Sequence, residues 1–341
     1  MRTNRDLTFS KWSTLTPVNK WIGLLFLLCS VANSYGSSGT EGAAFLEIPV
    51  GARPAAFGSA YSALATDAYA PIYNPGALGF IRSDQLTAMH LSYLDSVDYE
   101  YAGYVHPFSP RDAIGASGQL LLPGSINGTD INGNSIGSVS GHYGAYSVSY
   151  AHTFEDIAVG ITGKWINAAI GDAGANAFAT DMGALYKAND QLSLAAVAAN
   201  LGGKLTFVSQ ADDLPTELRL GAAYSLMRKW IVSIETGYQT EGLFVVRGGV
   251  EWTPTPFLSL RVGYRTDTTD NLSALAGFTT GLGLHLWGQE LDYAWLPLGD
   301  LGNTQYVSLT IRFGKGTQTT NLQRAPKTNS YYNDLSKDDV E

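Results

Sequence analysis

The chain has 341 residues, a formal net charge of −9, 15 % charged and 11 % aromatic residues, 38 glycines and one cysteine. Its length admits one large β domain or two ordinary ones, its acidity argues against a nucleic-acid partner, and its lone cysteine leaves no disulfide framework. A mean hydropathy of −0.01 excludes a bundle of membrane-spanning helices. Soluble domains are normally about a quarter charged. Low charge with abundant aromatics and glycine at average hydropathy fits a transmembrane β-barrel. Composition alone fits a soluble β-sandwich almost as well.

Arg2, Arg5, Lys11 and Lys20 precede an apolar run from Trp21 to Ala32, and small polar residues follow from Asn33 to Ser38. A basic n-region, an apolar h-region and a small-residue zone describe a secretory signal peptide over 1–36, with Ala32-Asn33-Ser34 a suitable cleavage site. The run is too short to span a bilayer, and no later stretch approaches the roughly 20 apolar residues a span needs. Cys29 falls inside this leader and follows Leu28, where lipidation requires a small residue. Cleavage near Ser34 leaves an exported chain without cysteine, held by its sheet alone. It also removes four basic residues and one acidic one, so the mature chain is more acidic still.

Residues 37–83 come next, and their centre, 51–78, reads GARPAAFGSAYSALATDAYAPIYNPGAL. Between 52 and 70 small residues dominate and Arg53 and Asp67 are the only charges. Small side chains let a short helix or turn pack closely inside a barrel, and Pro54 suits a first helical turn. Non-helical backbone at membrane depth needs enclosure by protein, so the segment reads as a plug. The bland alternative is an Ala-rich helix capping a soluble β domain. Asn74-Pro75 marks either a kink from lumen to wall or a plain turn.

From 84 to 314 the chain alternates with period two in segments of about 10 residues. Fourteen are expected, at 84–93, 98–108, 112–122, 140–153, 157–168, 178–188, 191–201, 215–226, 230–239, 243–252, 257–265, 274–286, 289–297 and 304–314. An even count suits a closed antiparallel barrel. Alternate connections are tight, at Ser109–Arg111, Phe154–Asp156, Asn189-Asp190, Met227–Lys229, Thr253–Pro256 and Gly288. Those between are mostly longer, at Leu122–Val139, Ala169–Ala177, Gly202–Leu214 and Thr266–Ser273. Outer-membrane barrels sort their loops in this way, with short turns in the periplasm. A soluble sandwich has no reason to do so.

Facing follows from parity. Trp230, Val232, Ile234 and Tyr238 oppose Ser233 and Glu235; Phe244, Val246, Val250 and Trp252 oppose Arg247 and Glu251; Leu258, Leu260, Val262 and Tyr264 oppose Ser259, Arg261 and Arg265. A charge on the lipid face near the midplane costs about 2–4 kcal/mol, which places Glu217, Arg219, Glu235, Arg247, Glu251, Arg261, Arg265, Asp292 and Arg312 in the lumen. They form either a lining that holds the plug, with Arg53 or Asp67 in the network, or plain mutually paired filling. Trp230, Tyr238, Trp252 and Trp295 suit interfacial girdles. The last strand alternates and ends in Ile311-Arg312-Phe313, in the manner of the C-terminal signal read by barrel-assembly machinery. Residues 315–341 are polar, aperiodic and expected to form a disordered periplasmic tail.

No catalytic constellation emerges. His90, His106, His142, His152 and His285 have no zinc spacing, Gly281-Leu282-Gly283 has Leu286 in place of the third glycine of a dinucleotide motif, and Asn127–Asn134 lacks the glycine and terminal glutamate of a calcium loop. Thr266–Asp270 is either a weak calcium loop or an ordinary acidic one. Neither metal nor cofactor is expected, and no enzyme activity.

The motif Gly51-Ala52-Arg53, Gly58, Ala60-Tyr61, Asp67 and Asn74-Pro75-Gly76-Ala77-Leu78, together with Leu291 to Thr304, resembles the PorV/PorQ family of outer-membrane proteins within the FadL-like barrel group. The family commonly reads Asn-Pro-Ala-Gly-Leu, so Gly76-Ala77 is transposed here. The resemblance spans nearly the whole mature chain and implies an all-β barrel of fourteen strands in the bacterial outer membrane, with the N-terminal segment folded inside. PorV-like members receive exported proteins and pass them to surface-attachment machinery in type IX secretion, which implies a secretion translocon and exported proteins as partners beside outer-membrane lipid. The alternative is a FadL-like channel for hydrophobic small molecules.

Overall fold

The computed structural model describes residues 41–93, 97–124, 126–227, 229–239, 242–267, 274–299 and 302–314. The expected signal peptide with Cys29, and the expected tail, lie outside them. Among the described residues eighteen strands follow one another along the chain. The first nine are β1 (Asp84–Tyr93), β2 (Val97–Pro107), β3 (Asp112–Pro123), β4 (Ile126–Thr129), β5 (Ser135–Val139), β6 (Gly141–Phe154), β7 (Ile157–Ile170), β8 (Ala173–Lys187) and β9 (Leu192–Gly202). The rest are β10 (Lys204–Phe207), β11 (Gln210–Asp213), β12 (Glu217–Leu226), β13 (Trp230–Gln239), β14 (Phe244–Thr255), β15 (Leu258–Arg265), β16 (Phe278–Leu286), β17 (Gln289–Pro297) and β18 (Asn303–Phe313).

Fourteen of these close into one antiparallel barrel, each paired with its sequence neighbours, and β18 completes the ring by pairing with β1 from Asp84↔Phe313 to Ser92↔Gln305. β4–β5 and β10–β11 are separate two-stranded hairpins within the two longest loops. Closure leaves no open edge, which is what a sheet needs to cross a bilayer. Burial alternates along the strands as parity requires: in β13 Ile231, Ser233 and Glu235 are inward, while Trp230, Val232 and Ile234 are outward. Trp230 and Trp252 stack at 5.5 Å on the outward face of the tight-turn rim.

Several boundaries differ from expectation, among them that of β14, which runs to Thr255 through the predicted turn Thr253–Pro256. The predicted loop Ala169–Ala177 is strand: β7 and β8 stay paired to Ile170↔Ala173, and Gly171, at φ 55°, makes the turn. Alanine has low strand propensity, so the inward set Ala175, Ala177 and Ala179 concealed the alternation. Residues 274–277 form a 3₁₀ turn ahead of β16. The apolar stretch 205–208 is the β10 side of a hairpin. Leu205 is buried against Gly42, whose amide donates to the Asp213 carbonyl at 2.9 Å, while Val208 at the tip is exposed.

The segment before β1 fills the barrel. It comprises a 3₁₀ turn (Ala44–Glu47), short helices at Ala52–Ala56 and Ala70–Tyr73, and a second 3₁₀ turn (Pro75–Phe80). Pro54 sits in the third residue of the first helix, and Pro75 begins the second 3₁₀ turn. The segment's backbone lies directly on the wall at several wall glycines. A Cβ on Gly281 would come within 2.6 Å of the Ala56 methyl, and one on Gly249 within 2.6 Å of the Phe57 carbonyl oxygen. Gly58 returns the fit: at φ 61°, its own Cβ would approach the Tyr264 carbonyl oxygen to 2.6 Å.

β7 offers an internal test of this fit. A Cβ on inward Gly160 would collide with the Pro75 carbonyl, whereas outward Gly163 has nothing within 4 Å. Overpacking a filled interior costs about 1–3 kcal/mol. Gly160→Val is therefore expected to lower unfolding stability in detergent micelles by that amount, with Gly163→Val near neutral, as read by tryptophan fluorescence against urea.

Candidate functional site

Two guanidinium clusters tie the inner segment to one side of the wall. In the first, buried Arg261 of β15 donates through Nε to Glu251 (2.6 Å), through Nη2 to Glu290 (3.1 Å) and through Nη1 to Asp292. Arg312 reaches the other oxygen of Glu290 at 2.8 Å. Arg53, from the helix Ala52–Ala56, joins from the segment, with Nε 3.4 Å from Glu251 and 3.8 Å from Glu290, and Nη1 3.8 Å from Asp67. Asp67 also accepts from the Tyr61 hydroxyl and, at 3.1 Å, from the Tyr69 amide.

In the second cluster, Arg247 pairs with Glu217 (2.7 Å), Glu235 (3.3 Å) and Asp267 (3.2 Å), and Arg265 forks onto Asp267 at 2.5 and 2.7 Å. Arg219 lies 3.8 Å from Glu217 and donates to the Ile72 carbonyl at 3.3 Å. The Ser62 amide and hydroxyl both donate to Glu235. Residues remote in sequence thus fasten the segment through β12 to β18. Between it and these charges remains a polar cavity of about 60 Å³, bordered by Glu47, Tyr73, Glu217, Arg219 and Arg265.

The opposite wall is built differently. Lys164–Asp181 (2.7 Å) is its one buried ion pair among the described residues, and alanines line much of the rest of its inner face. Asn74, in extended conformation at φ −163°, caps the 3₁₀ turn by accepting from the Gly76 amide at 2.9 Å. Its Nδ2 donates to the Ser62 carbonyl and to the Ala184 carbonyl of β8, both at 3.0 Å. Gly183 and Gly160 bring the wall backbone onto Asn74, Pro75 and Gly76, and a Cβ on Gly76 would stand 2.6 Å from the Gly183 carbonyl oxygen.

On the outward side of these same glycines lies an apolar groove of about 780 Å³. Ala184, Ala196 and Ala198 form its floor, and Ile161, Met182 and Leu218 stand along its rim. β9 bulges beside it. Pairing steps from Thr180↔Leu201 to Met182↔Ala198, and Asn200, at φ 56°, donates its amide to Asp181 at 2.7 Å.

Every plug-motif residue singled out in the sequence, from Gly51 to Gly76, lies within this packing. Gly51, at φ 92°, lets its amide meet Met89 Sδ at 2.8 Å. Ile311 and Phe313 face outward on β18, and Phe313 stacks on Tyr104. Glu290 went unrecognised although it shares parity with Asp292; the same rule applied to β7 and β8 marks Lys164 and Asp181. Glu47 and Asp267 lie outside the alternating segments and had no such signal. Among the described residues no group of His, Cys, Asp and Glu could hold a metal.

These features define a closed fourteen-stranded antiparallel barrel, its lumen filled by its own N-terminal segment. The solved structures it resembles include the Ralstonia pickettii toluene transporter TbuX (13 % identity, TM-score 0.55, 82 % of this chain and 100 % of that one). They also include the CymD monoaromatic hydrocarbon channel (12 %, 0.56, 79 % and 98 %) and the Pseudomonas putida toluene transporter TodX (13 %, 0.52, 76 % and 96 %). No protein-family model matches the chain, and no curated protein does.

Removing one partner of a buried ion network costs about 3–5 kcal/mol, because the carboxylates left behind stay buried. Arg261→Met is expected to destabilise the barrel by that amount in micelles, measured by urea unfolding. Glu47 supplies a pH test. It accepts from Gln239 Nε2 at 2.6 Å. Burial first, then Glu217 and Asp267, push its carboxyl from 4.5 up to about 7. A raised carboxyl favours the folded anchor while protonated, so its contribution is complete below about 4.5 and is lost as pH rises through about 7. Hydrogen exchange over 44–50, corrected for its intrinsic pH dependence, is expected to quicken above pH 7 in the native chain and stay flat in Glu47→Gln.

Proposed function

We propose that this chain is an outer-membrane channel for hydrophobic small molecules. The observation that carries the reading is the single thickness of backbone at Gly160 and Gly183. It separates the inner segment at Asn74–Gly76 from an apolar groove on the outward face. An apolar solute reaching this point has a short route to the acyl-chain layer and avoids the charged clusters on the other side of the lumen. The likeness to aromatic-hydrocarbon transporters supports the same reading at the level of fold. The described cavity of about 60 Å³ is too small for a continuous path, so passage requires the inner segment to shift. Its ionic fastening runs through Arg53 to β14 and β17, and the Asn74 side is held instead by hydrogen bonds and close backbone packing.

Filling the groove from outside tests this without disturbing the core, because Ala198 faces outward. In cells lacking their own hydrocarbon channel, the native chain is expected to raise uptake of labelled toluene, and Ala198→Trp to remove most of that gain with the folded barrel still present. Unchanged uptake, together with co-purification of a translocon or a surface-protein transferase from native membranes, would favour the secretion role that the family resemblance implies.

A further inference from the structure

The pattern Tyr-x-His-x-Phe occurs twice, at 104–108 and 150–154, where β2 and β6 reach their tight turns. Each copy meets an aspartate that begins the neighbouring strand. Asp84 accepts from the Tyr104 hydroxyl at 2.5 Å and lies 2.7 Å from His106 Nδ1. Asp112 accepts from the Tyr150 hydroxyl at 2.7 Å and lies 2.7 Å from His152 Nδ1. Both clusters stand partly exposed on the outward face. An ionised carboxylate only accepts, so Nδ1 carries the shared proton, and Nε2 of a neutral ring is left as an acceptor. The second cluster is fixed further: Phe154 packs edge-on against the His152 ring at 4.5 Å, and Ser109 donates to the other oxygen of Asp112 at 2.5 Å.

The two clusters differ in what lies beside them. Tyr150 and His152 border the outward apolar groove, and no residue of the first cluster does. One register row of the groove runs from His152 through Val159, Ala184 and Ala196 to Leu220. Barrel strands tilt, so a row across them changes depth. His152 is two residues from the tight-turn end of β6 at Phe154, and Leu220 is six from that of β12 at Leu226. At about 3.3 Å per residue and a tilt near 45°, these ends lie about 5 Å and about 14 Å from the tight-turn rim. The groove is thus polar at its shallow end and apolar where it descends.

We propose that the groove seats one phospholipid of the periplasmic leaflet, with a primary ammonium head at His152 and Asp112 and an acyl chain along Ala184, Ala196 and Ala198. An amphipath satisfies both ends of the groove at once. The cluster selects the head, because it offers a carboxylate and an imidazole acceptor to a cation that can donate. A phosphatidylethanolamine has such a head. A trimethylammonium head has no N–H to give, and a glycerol head leaves its lipid a net anion. Arg111, exposed in the turn before Asp112, offers its guanidinium to the phosphate. The inference rests on the barrel spanning a bilayer and is independent of what the lumen carries.

Native mass spectrometry of the full folded barrel in detergent, stripped of co-purified lipid, provides the test. The probes are palmitoyl-oleoyl phosphatidylethanolamine, phosphatidylcholine and phosphatidylglycerol at equal concentration. The first is expected to give a one-lipid complex roughly fivefold more abundant than either of the others. His152→Ala and Ala198→Trp are each expected to cut that complex by roughly the same factor. His106→Ala, in the cluster without a groove, is expected to leave it unchanged. Heat-modifiable mobility reports folding, and if His152→Ala does not fold, Ala198→Trp against His106→Ala still decides. Equal binding of the three lipids, no one-lipid complex, or equal loss in His106→Ala and the groove variants would overturn the proposal. Toluene uptake plays no part in the readout, so a positive result stands even if the channel reading fails. A chain released from membranes by carbonate would overturn the membrane reading and this inference with it.

Discussion

A closed sheet of fourteen strands encloses more space than its own inward side chains can fill, and this constraint organises the molecule. The lumen has to take in a further stretch of chain, and that stretch needs every polar group satisfied where water is scarce. Small residues meet both needs. Alanine and glycine between 51 and 81 let the segment's backbone reach the wall. Glycines on the wall receive it, so hydrogen bonds such as Gly58 N–H to Thr279 Oγ1, at 3.1 Å, form across the contact. Close packing then supplies many weak dispersion contacts in place of a few large side chains.

The filling is asymmetric, and the asymmetry bears on function. From β12 to β18 the inner wall is charged. Arg247 and Arg261 there meet three carboxylates each, and Arg219, Arg265 and Arg312 one each, because an ion in a low-dielectric interior is tolerable only when paired and hydrogen-bonded. From β6 to β9 the inner wall is mostly small and apolar, and the segment is held there by hydrogen bonds of Asn74 and by backbone contact. Ion pairs fasten the segment on one side, and on the other its Asn74-Pro75 backbone lies against a wall of bare backbone at Gly160 and Gly183. The outward groove lies behind that point.

The legible part of the sequence was the part governed by strict alternation. Glu235, Arg247, Glu251 and Arg261 could be assigned to the lumen because Trp230, Val250, Val262 and their neighbours fixed parity. Where alternation used small residues, as in Ala173 to Ala179, strand resembled loop. The hairpins at 126–139 and 204–213 are too short for a periodic signal. Asp112 and His152 oppose each other only through the register of β3 with β6, so their cluster on the outer face was not visible beforehand. The groove is likewise assembled from β6, β7, β8, β9 and β12, and its small outward residues, Ala184, Ala196 and Ala198, look unremarkable singly.

The number of barrel strands and their facing were thus determined locally, by period-two alternation and turn residues that act within about ten residues. Which carboxylate meets which guanidinium, where the inner segment touches the wall, and where that wall is thinnest were decided only by the tertiary structure. Arg53 and Glu290 are 237 positions apart, and Asn74 and Ala184 are 110 apart. Contacts at such separations depend on barrel register and on the path of a segment without periodicity, and no local pattern encodes either.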